Sequence, residues 1–189
     1  GEIRFLGNSL VSLSEAQFES LRGNQIGYIY QNPMTALNPV LTIGEQVTEA
    51  IEANTNMRGK NAREYAIQLL ERADVSFAED RLQKYPHQLS GGLCQRIVFA
   101  ISIAAKPTLI IADEPTTALD VTVQSSVLQT LIKLSQEEDI DIILITHDIV
   151  VVSETCDYVD VLRNEKHIEQ GETVQVLEKQ MQEYTRSLM

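Results

Sequence analysis

"TLIIADEP", Thr108–Pro115, decides the fold. Apolar side chains run from Leu109 to Ala112 without alternation and stop at two adjacent carboxylates, Asp113 and Glu114. A short run of this kind reads as a strand buried on both faces, the habit of parallel sheets covered by helices. In such sheets the carboxyl ends of the strands line the ligand crevice. Asp113 therefore stands where a carboxylate can hold Mg²⁺, directly or through water, since hard cations take oxygen ligands and Mg²⁺ keeps several waters. Glu114 can reach a water that attacks a phosphoryl group. A capped strand end with solvated acids would also account for both residues, so the neighbouring segments decide.

Outward from this strand the chain alternates. "DIILIT" (141–146) is a second apolar run, again read as buried, and His147 follows it. A lone histidine is usually structural, but this one ends the next strand at the same sheet edge, where it can hydrogen-bond a terminal phosphate. "QIGYIYQ" (25–31) reads as a strand ending in Gln31, whose amide can bridge Mg²⁺ or the attacking water. "GEIRFLG" reads as a short strand with glycine at both ends, and "NPMTALNP" (32–39) as turns around two Asn-Pro pairs. From Ile43 to Ala105 the pattern turns helical, with Ala62, Tyr65, Ala66, Leu69, Leu70 and Ala73 on one face. Val123, Val127, Leu131 and Leu134 mark a further helix. "YVDVL" and "KHIEQG" read as a strand pair, and "TVQVLEKQMQEY" as a terminal helix. Strands alternating with helices mean an α/β fold with a largely parallel core, interrupted by a helical insertion at about 43–105.

"HQLSGGLCQR", His87–Arg96, prepares a helix N-terminus. Ser90 is an N-cap residue, and the glycines after it let backbone N–H groups approach an anion that the helix dipole favours. An ordinary cap would account for Ser90 and one glycine. The second glycine carries an entropic cost that a cap does not require.

Composition narrows the partners. The net charge of −12 over 189 residues argues against a nucleic-acid surface. Cys94 and Cys156 lie in no metal-ligand spacing and read as reduced thiols in a cytoplasmic protein. No apolar run is long enough to span a bilayer, and the first residues have no signal-peptide character.

Together the motifs resemble the ATP-binding-cassette (ABC) ATPase family. "LSGGLCQR" resembles its signature motif, "LIIADE" its Walker B strand, "TALD" (117–120) its D-loop, "ITHD" its switch-histidine segment and "YIYQNP" its Q-loop. "QNPMTALNPVLTIGEQV", "YPHQLSGG", "ADEPTTALDVTVQ" and "YTRSLM" resemble the oligopeptide, dipeptide and nickel importer branch. The resemblance implies a partial P-loop NTPase (RecA-like) core at 1–42 and 106–189 and a helical subdomain at 43–105. It implies ATP and Mg²⁺ as cofactors, with Asp113 and Gln31 at the metal and Glu114, His147 and Gln31 in catalysis. Ser90, Gly91, Gly92, Gln95 and Asp120 would contact nucleotide, with the signature residues on the γ-phosphate held by a second subunit in a head-to-tail dimer. Transmembrane permease subunits would dock on the helical insertion and Q-loop, holding the protein at the cytoplasmic face of the membrane. A soluble, non-transport ABC ATPase and a non-catalytic interaction module are the alternatives.

The sequence also departs from the family. No stretch has the phosphate-cradling form G-x-x-x-x-G-K-[ST]; the single Gly-Lys, Gly59-Lys60, is followed by Asn61. The chain thus reads as part of a longer cassette, inactive alone, with an apolar strand edge beside "DIILIT" that invites self-association. Leu93 and Cys94 replace residues common in the signature. "LRNEKHIEQG" (162–171) lacks the glycine turn that often joins the last two strands, which leaves that hairpin's geometry open.

Overall fold

The strand that ends at Asp113 has a neighbour on each side. The computed structural model describes residues 1–22, 24–117, 119–164, 166–179 and 185. It divides into two units, Gly1–Ile143 and Leu144–Met189. The first runs β1 (Arg4–Phe5), β2 (Asn8–Ser9), α1 (Glu15–Leu21), β3 (Ile26–Ile29), α2 (Pro33–Ala36), α3 (Ile43–Asn54), α4 (Gly59–Arg72) and α5 (Ala78–Arg81). A 3₁₀ turn (Pro86–Gln88), α6 (Gly91–Ala104), β4 (Leu109–Asp113), α7 (Val121–Glu138) and the start of β5 (Asp141–Ile145) follow. The sheet order is β3–β4–β5. β3 and β4 are parallel, pairing Ile26 with Leu109 through to Ile29 with Ala112.

Helix α6 covers one face of this sheet. The Ser102 carbonyl oxygen lies over Gly27, 3.6 Å from where a Cβ would stand, and that Cβ would crowd Ile110 Cγ1 of β4 at 3.2 Å. Ile29, Ile110 and Ala112 are fully buried on that face. The same helix packs against α3, α4 and α7, so the helical run and the sheet share one core around Phe99, Ile103, Leu69 and Leu131. The helical face read from the sequence holds: Ala62, Ala66, Leu69, Leu70 and Ala73 have no more than a trace of exposed surface, with Tyr65 at the margin.

Three expectations are corrected. β4 is not buried on both faces; Leu109, Ile111 and Asp113 are half-buried and alternate with buried Ile110 and Ala112. β5 is less buried still, with Ile143 50% and Ile145 47% exposed. Two features go with this exposure: α6 packs on the sheet at β3, and β5 is the outer strand of the order β3–β4–β5. "NPMTALNP" is more than turns. Asn32 accepts the Met34 N–H at 2.9 Å and Pro33 takes the first position of α2, where its missing N–H costs nothing.

Local chemistry explains the helix starts. Ser14 with Gln17 and Thr42 with Glu45 form capping boxes for α1 and α3. "GEIRFLG" folds into a hairpin, because Leu6 and Gly7 adopt positive φ and turn β1 back on β2. Arg72 at the end of α4 binds Glu137 and Glu138 at the end of α7, and Lys106 binds Glu138 at 2.7 Å.

The second unit continues with α8 (Ile149–Thr155), β6 (Tyr158–Arg163), β7 (Lys166–Glu172) and α9 (Thr173–Lys179). β6 and β7 form an antiparallel hairpin closing at Arg163 and Lys166. No glycine is needed there, because Asn164 takes the left-handed conformation (φ 48°), which Asn tolerates better than most residues. "YTRSLM" and the end of the terminal helix, apart from Thr185, lie outside the described residues. Among the described residues no helix is long and apolar enough to cross a membrane.

Candidate functional site

Parallel pairing of β3 and β4 brings their carboxyl ends out side by side. Gln31 and Glu114, 83 positions apart, meet there: the Gln31 amide Nε2 donates to Glu114 Oε2 at 2.8 Å. The Thr117 hydroxyl donates to the same oxygen at 3.1 Å, across a turn closed by the Thr117 N–H on the Glu114 carbonyl. Glu114 has φ +45°. A non-glycine residue held there costs on the order of 1–3 kcal/mol and persists only where its surroundings over-determine it, a hallmark of functional sites. The two donors on its carboxylate are part of that constraint.

Asp113, one residue earlier, accepts the Tyr28 hydroxyl on Oδ2 at 2.9 Å. That hydrogen bond, with smaller help from burial and the carboxylate's charge, raises the Tyr28 pKa above its ordinary value. Tyr28 also packs on Tyr30, with ring centroids 4.6 Å apart. The cluster offers hard oxygens at neighbouring strand ends, the Asp113 carboxylate and the Gln31 carbonyl. Among the described residues no group of three or more His, Cys, Asp and Glu could hold a metal ion by itself. A Mg²⁺ that keeps waters and takes substrate phosphate oxygens needs only one or two such side chains, so the residues present fit it.

The second cluster is the N-terminus of α6. Ser90 caps it, its Oγ accepting the Leu93 N–H at 3.4 Å. The backbone N–H groups of Gly91 and Gly92 lie in the first turn of α6, where an α-helix offers them no intrahelical acceptor. They point from a helix end whose dipole favours an anion. The glycines have a packing reason as well. A Cβ on Gly92 would lie 2.9 Å from Val123 Cγ1, and one on Gly91 would lie 3.2 Å from Leu119 Cδ2. The second glycine is thus required by the approach of α6 to α7, whether or not an anion binds. Asp120, exposed, precedes α7 and makes no side-chain cap bond. Ala118, inside "TALD", lies outside the described residues.

Arg96 fastens the two helices one turn further on. Its guanidinium donates to Thr130 Oγ1 at 2.7 Å, Ser126 Oγ at 2.8 Å and Asp74 Oδ2 at 3.1 Å. Gln95 does not share the exposed surface of Ser90. Its side chain is fully buried and neither amide atom has a hydrogen-bond partner. In this conformation the Gln95 side chain has no accessible surface, unlike Ser90 at the helix end.

His147, in the second unit, is exposed between the end of β5 and Asp148, which caps α8 by accepting the Val150 and Val151 N–H groups. The sequence reading missed Tyr28, Thr117 and Arg96. Thr117 had a signal, since it stands three residues after Glu114 where a turn can return a hydroxyl. Tyr28 had none, because its contact depends on the β3–β4 register.

Comparison with known proteins adds a family. The family model described as ABC transporter matches residues 1–117. The oligopeptide transport ATP-binding protein AppD of Bacillus subtilis (strain 168) is 44% identical over all 189 residues, which span 58% of its length. The dipeptide transport ATP-binding protein DppD of the same organism is 40% identical, with the chain spanning 56% of it. Among solved structures, cbiO1 of Clostridium perfringens, part of the ABC transporter complex cbiONQ, superposes with TM-score 0.82 at 27% identity, covering 95% of this chain and 69% of that one. The ATP-binding cassette MJ0796, in a dimeric post-hydrolysis state bound to ADP and Pi, gives TM-score 0.78 at 28% identity, covering 92% and 73%.

Proposed function

This chain belongs to the ABC transporter family as an ATPase-domain chain with the α/β P-loop NTPase fold, and from that premise we propose that it serves in the ATP-binding subunit of a peptide importer. Relatives at 40–44% identity are peptide transport ATP-binding proteins, and the chain spans little more than half of their length. The observation that carries the hydrolytic part is the Gln31–Glu114 hydrogen bond at the strand ends.

In this reading residues 1–42 and 106–189 belong to the nucleotide-binding core, and 43–105 form the helical subdomain that meets the permease at the cytoplasmic membrane face. Glu114 is the general base, taking a proton from the water that attacks the γ-phosphate. Its carboxylate is aimed by Gln31 and Thr117. Asp113 and Gln31 hold Mg²⁺, which supplies positive charge to the phosphates when bound. The Tyr28 hydroxyl on Oδ2 leaves Asp113 Oδ1 for the cation or its water. His147 hydrogen-bonds the terminal phosphate. Ser90, Gly91 and Gly92 present their N–H groups and hydroxyl to the γ-phosphate on a second copy. Asp120, at the base of α7, meets that copy across the interface.

The test uses two polypeptides: these 189 residues, and a chimera in which AppD supplies the segments outside them. A fluorescent ATP analogue with Mg²⁺ should bind the chimera, and far more weakly the 189 residues, which hold no G-x-x-x-x-G-K-[ST] stretch. Glu114→Gln should abolish turnover by the chimera while sparing binding. Undiminished turnover in that variant would remove Glu114 as the base. Restored peptide uptake in a strain lacking AppD would support the importer role, and failure with a chimera active as an ATPase would refute it.

A further inference from the structure

Gln95 buries both the donor and the acceptor of its side-chain amide without a partner. It is fully buried. Buried amides without partners are rare, and each calls for an explanation. An apolar side chain of the same shape would fill the place at lower cost.

The position of Gln95 follows from the helix. α6 leads through Lys106 and Pro107 into β4, and the Thr108 N–H bonds the Gln25 carbonyl at 2.9 Å. The end of α6 therefore lies at the amino ends of β3 and β4, and its start at their carboxyl ends. The Ser102 carbonyl lies over Gly27. Gln95 is seven residues, two turns, before Ser102 on the same helix face, about 10 Å along the axis. That distance corresponds to about three strand residues, which carries the level from Gly27 to Tyr30. The α2 turn, which follows Gln31 directly, packs on α6 as well. The unpartnered amide thus lies at the level of the segment that carries Gln31 to Glu114.

We propose that Gln95 is a positioning residue for Gln31: its amide engages the backbone of the segment leaving β3 when that segment shifts and Gln31 releases Glu114 for catalysis. In the conformation described here Gln31 occupies Glu114 Oε2, and Gln95 has no partner. The second state gives the amide its partners and frees the carboxylate. In this reading Gln95 acts through Gln31.

This inference rests on the proposed ATPase reading, and Gln95→Met tests it. Methionine keeps the length of the side chain and removes both polar ends. In the 189-residue chain the variant should unfold at the same urea concentration as the parent or a higher one. A lower midpoint would show that the amide is already partnered, and would overturn the proposal whatever the activity. In the AppD chimera kcat should fall about tenfold or more with KM little changed, as for an interaction made only on the way to the transition state. A kcat within about twofold of the parent would also overturn it. The parent chimera and its Glu114→Gln variant, run alongside, report on the ATPase reading itself, so the two failures are told apart.

Discussion

Replacing Gly92 by alanine isolates the contact that joins the anion-facing helix end to the start of α7. The new Cβ would sit 2.9 Å from Val123 Cγ1, with Val127 Cγ2 at 3.7 Å behind it. Carbon atoms rest at about 3.5–4.0 Å, so the helices must part by roughly 0.6 Å or more. Val123 cannot swing aside, because a β-branched residue in a helix has one strongly preferred rotamer. Adding a methyl group to a close-packed contact costs about 1–3 kcal/mol. Against this stands the gain of up to about 1 kcal/mol for exchanging glycine for alanine in a helix, smaller in the first turn. A net loss of about 1–2 kcal/mol follows, read as a lower midpoint in urea unfolding followed by far-UV circular dichroism. Gly91→Ala is the internal comparison. Its Cβ meets only Leu119 Cδ2, at 3.2 Å, the tip of a side chain with room to rotate, so its change should stay within about 0.5 kcal/mol. Val123→Ala should relieve the Gly92→Ala penalty in a double-mutant cycle. A Gly92→Ala variant as stable as the parent, or one that Val123→Ala fails to rescue, would refute the packing account and leave anion binding as the reason for the second glycine.

Three further outcomes are expected. Arg96→Gln should cost about 1–2 kcal/mol, less than a fully buried pair because Asp74 is half exposed, and should couple strongly with Thr130→Val in a double-mutant cycle. Glu138 is 10% exposed; burial alone would raise its pKa, but hydrogen bonds from Lys106 and Arg72 overcome that and hold it below the ordinary value. A depressed folded pKa gives stability that is present above the unfolded value, near 4.3, and lost as pH falls through the folded one; Lys106→Met should flatten the acid limb of a stability–pH curve, and an unchanged limb would exclude the pair as its source. The edge strand β5 exposes Ile143 and Ile145, so the 189-residue chain should self-associate in light scattering, with Ile143→Lys reducing it; a monomer at high concentration would count against this.

Short-range pattern in the chain was enough to read the α/β alternation, the helical run from Ile43, the Ser90 cap and the carboxylates at a strand end. Each is a local matter: a period of 3.6 or 2, a cap bonded three residues on, a turn residue with the right φ. Asn164 shows the same locality where a glycine was sought, since one residue's tolerance of positive φ closes the hairpin. The meeting of Gln31 with Glu114 and of Tyr28 with Asp113 spans more than 80 positions. It depends on the parallel register of β3 and β4, which no periodicity encodes. The same holds for Gly92, whose need for a missing side chain is set by Val123, and for Gln95, a polar residue whose burial no local pattern signals. Pattern along a chain specifies which face of an element is apolar; what that face meets, and at what distance, follows only once helices and strands are packed.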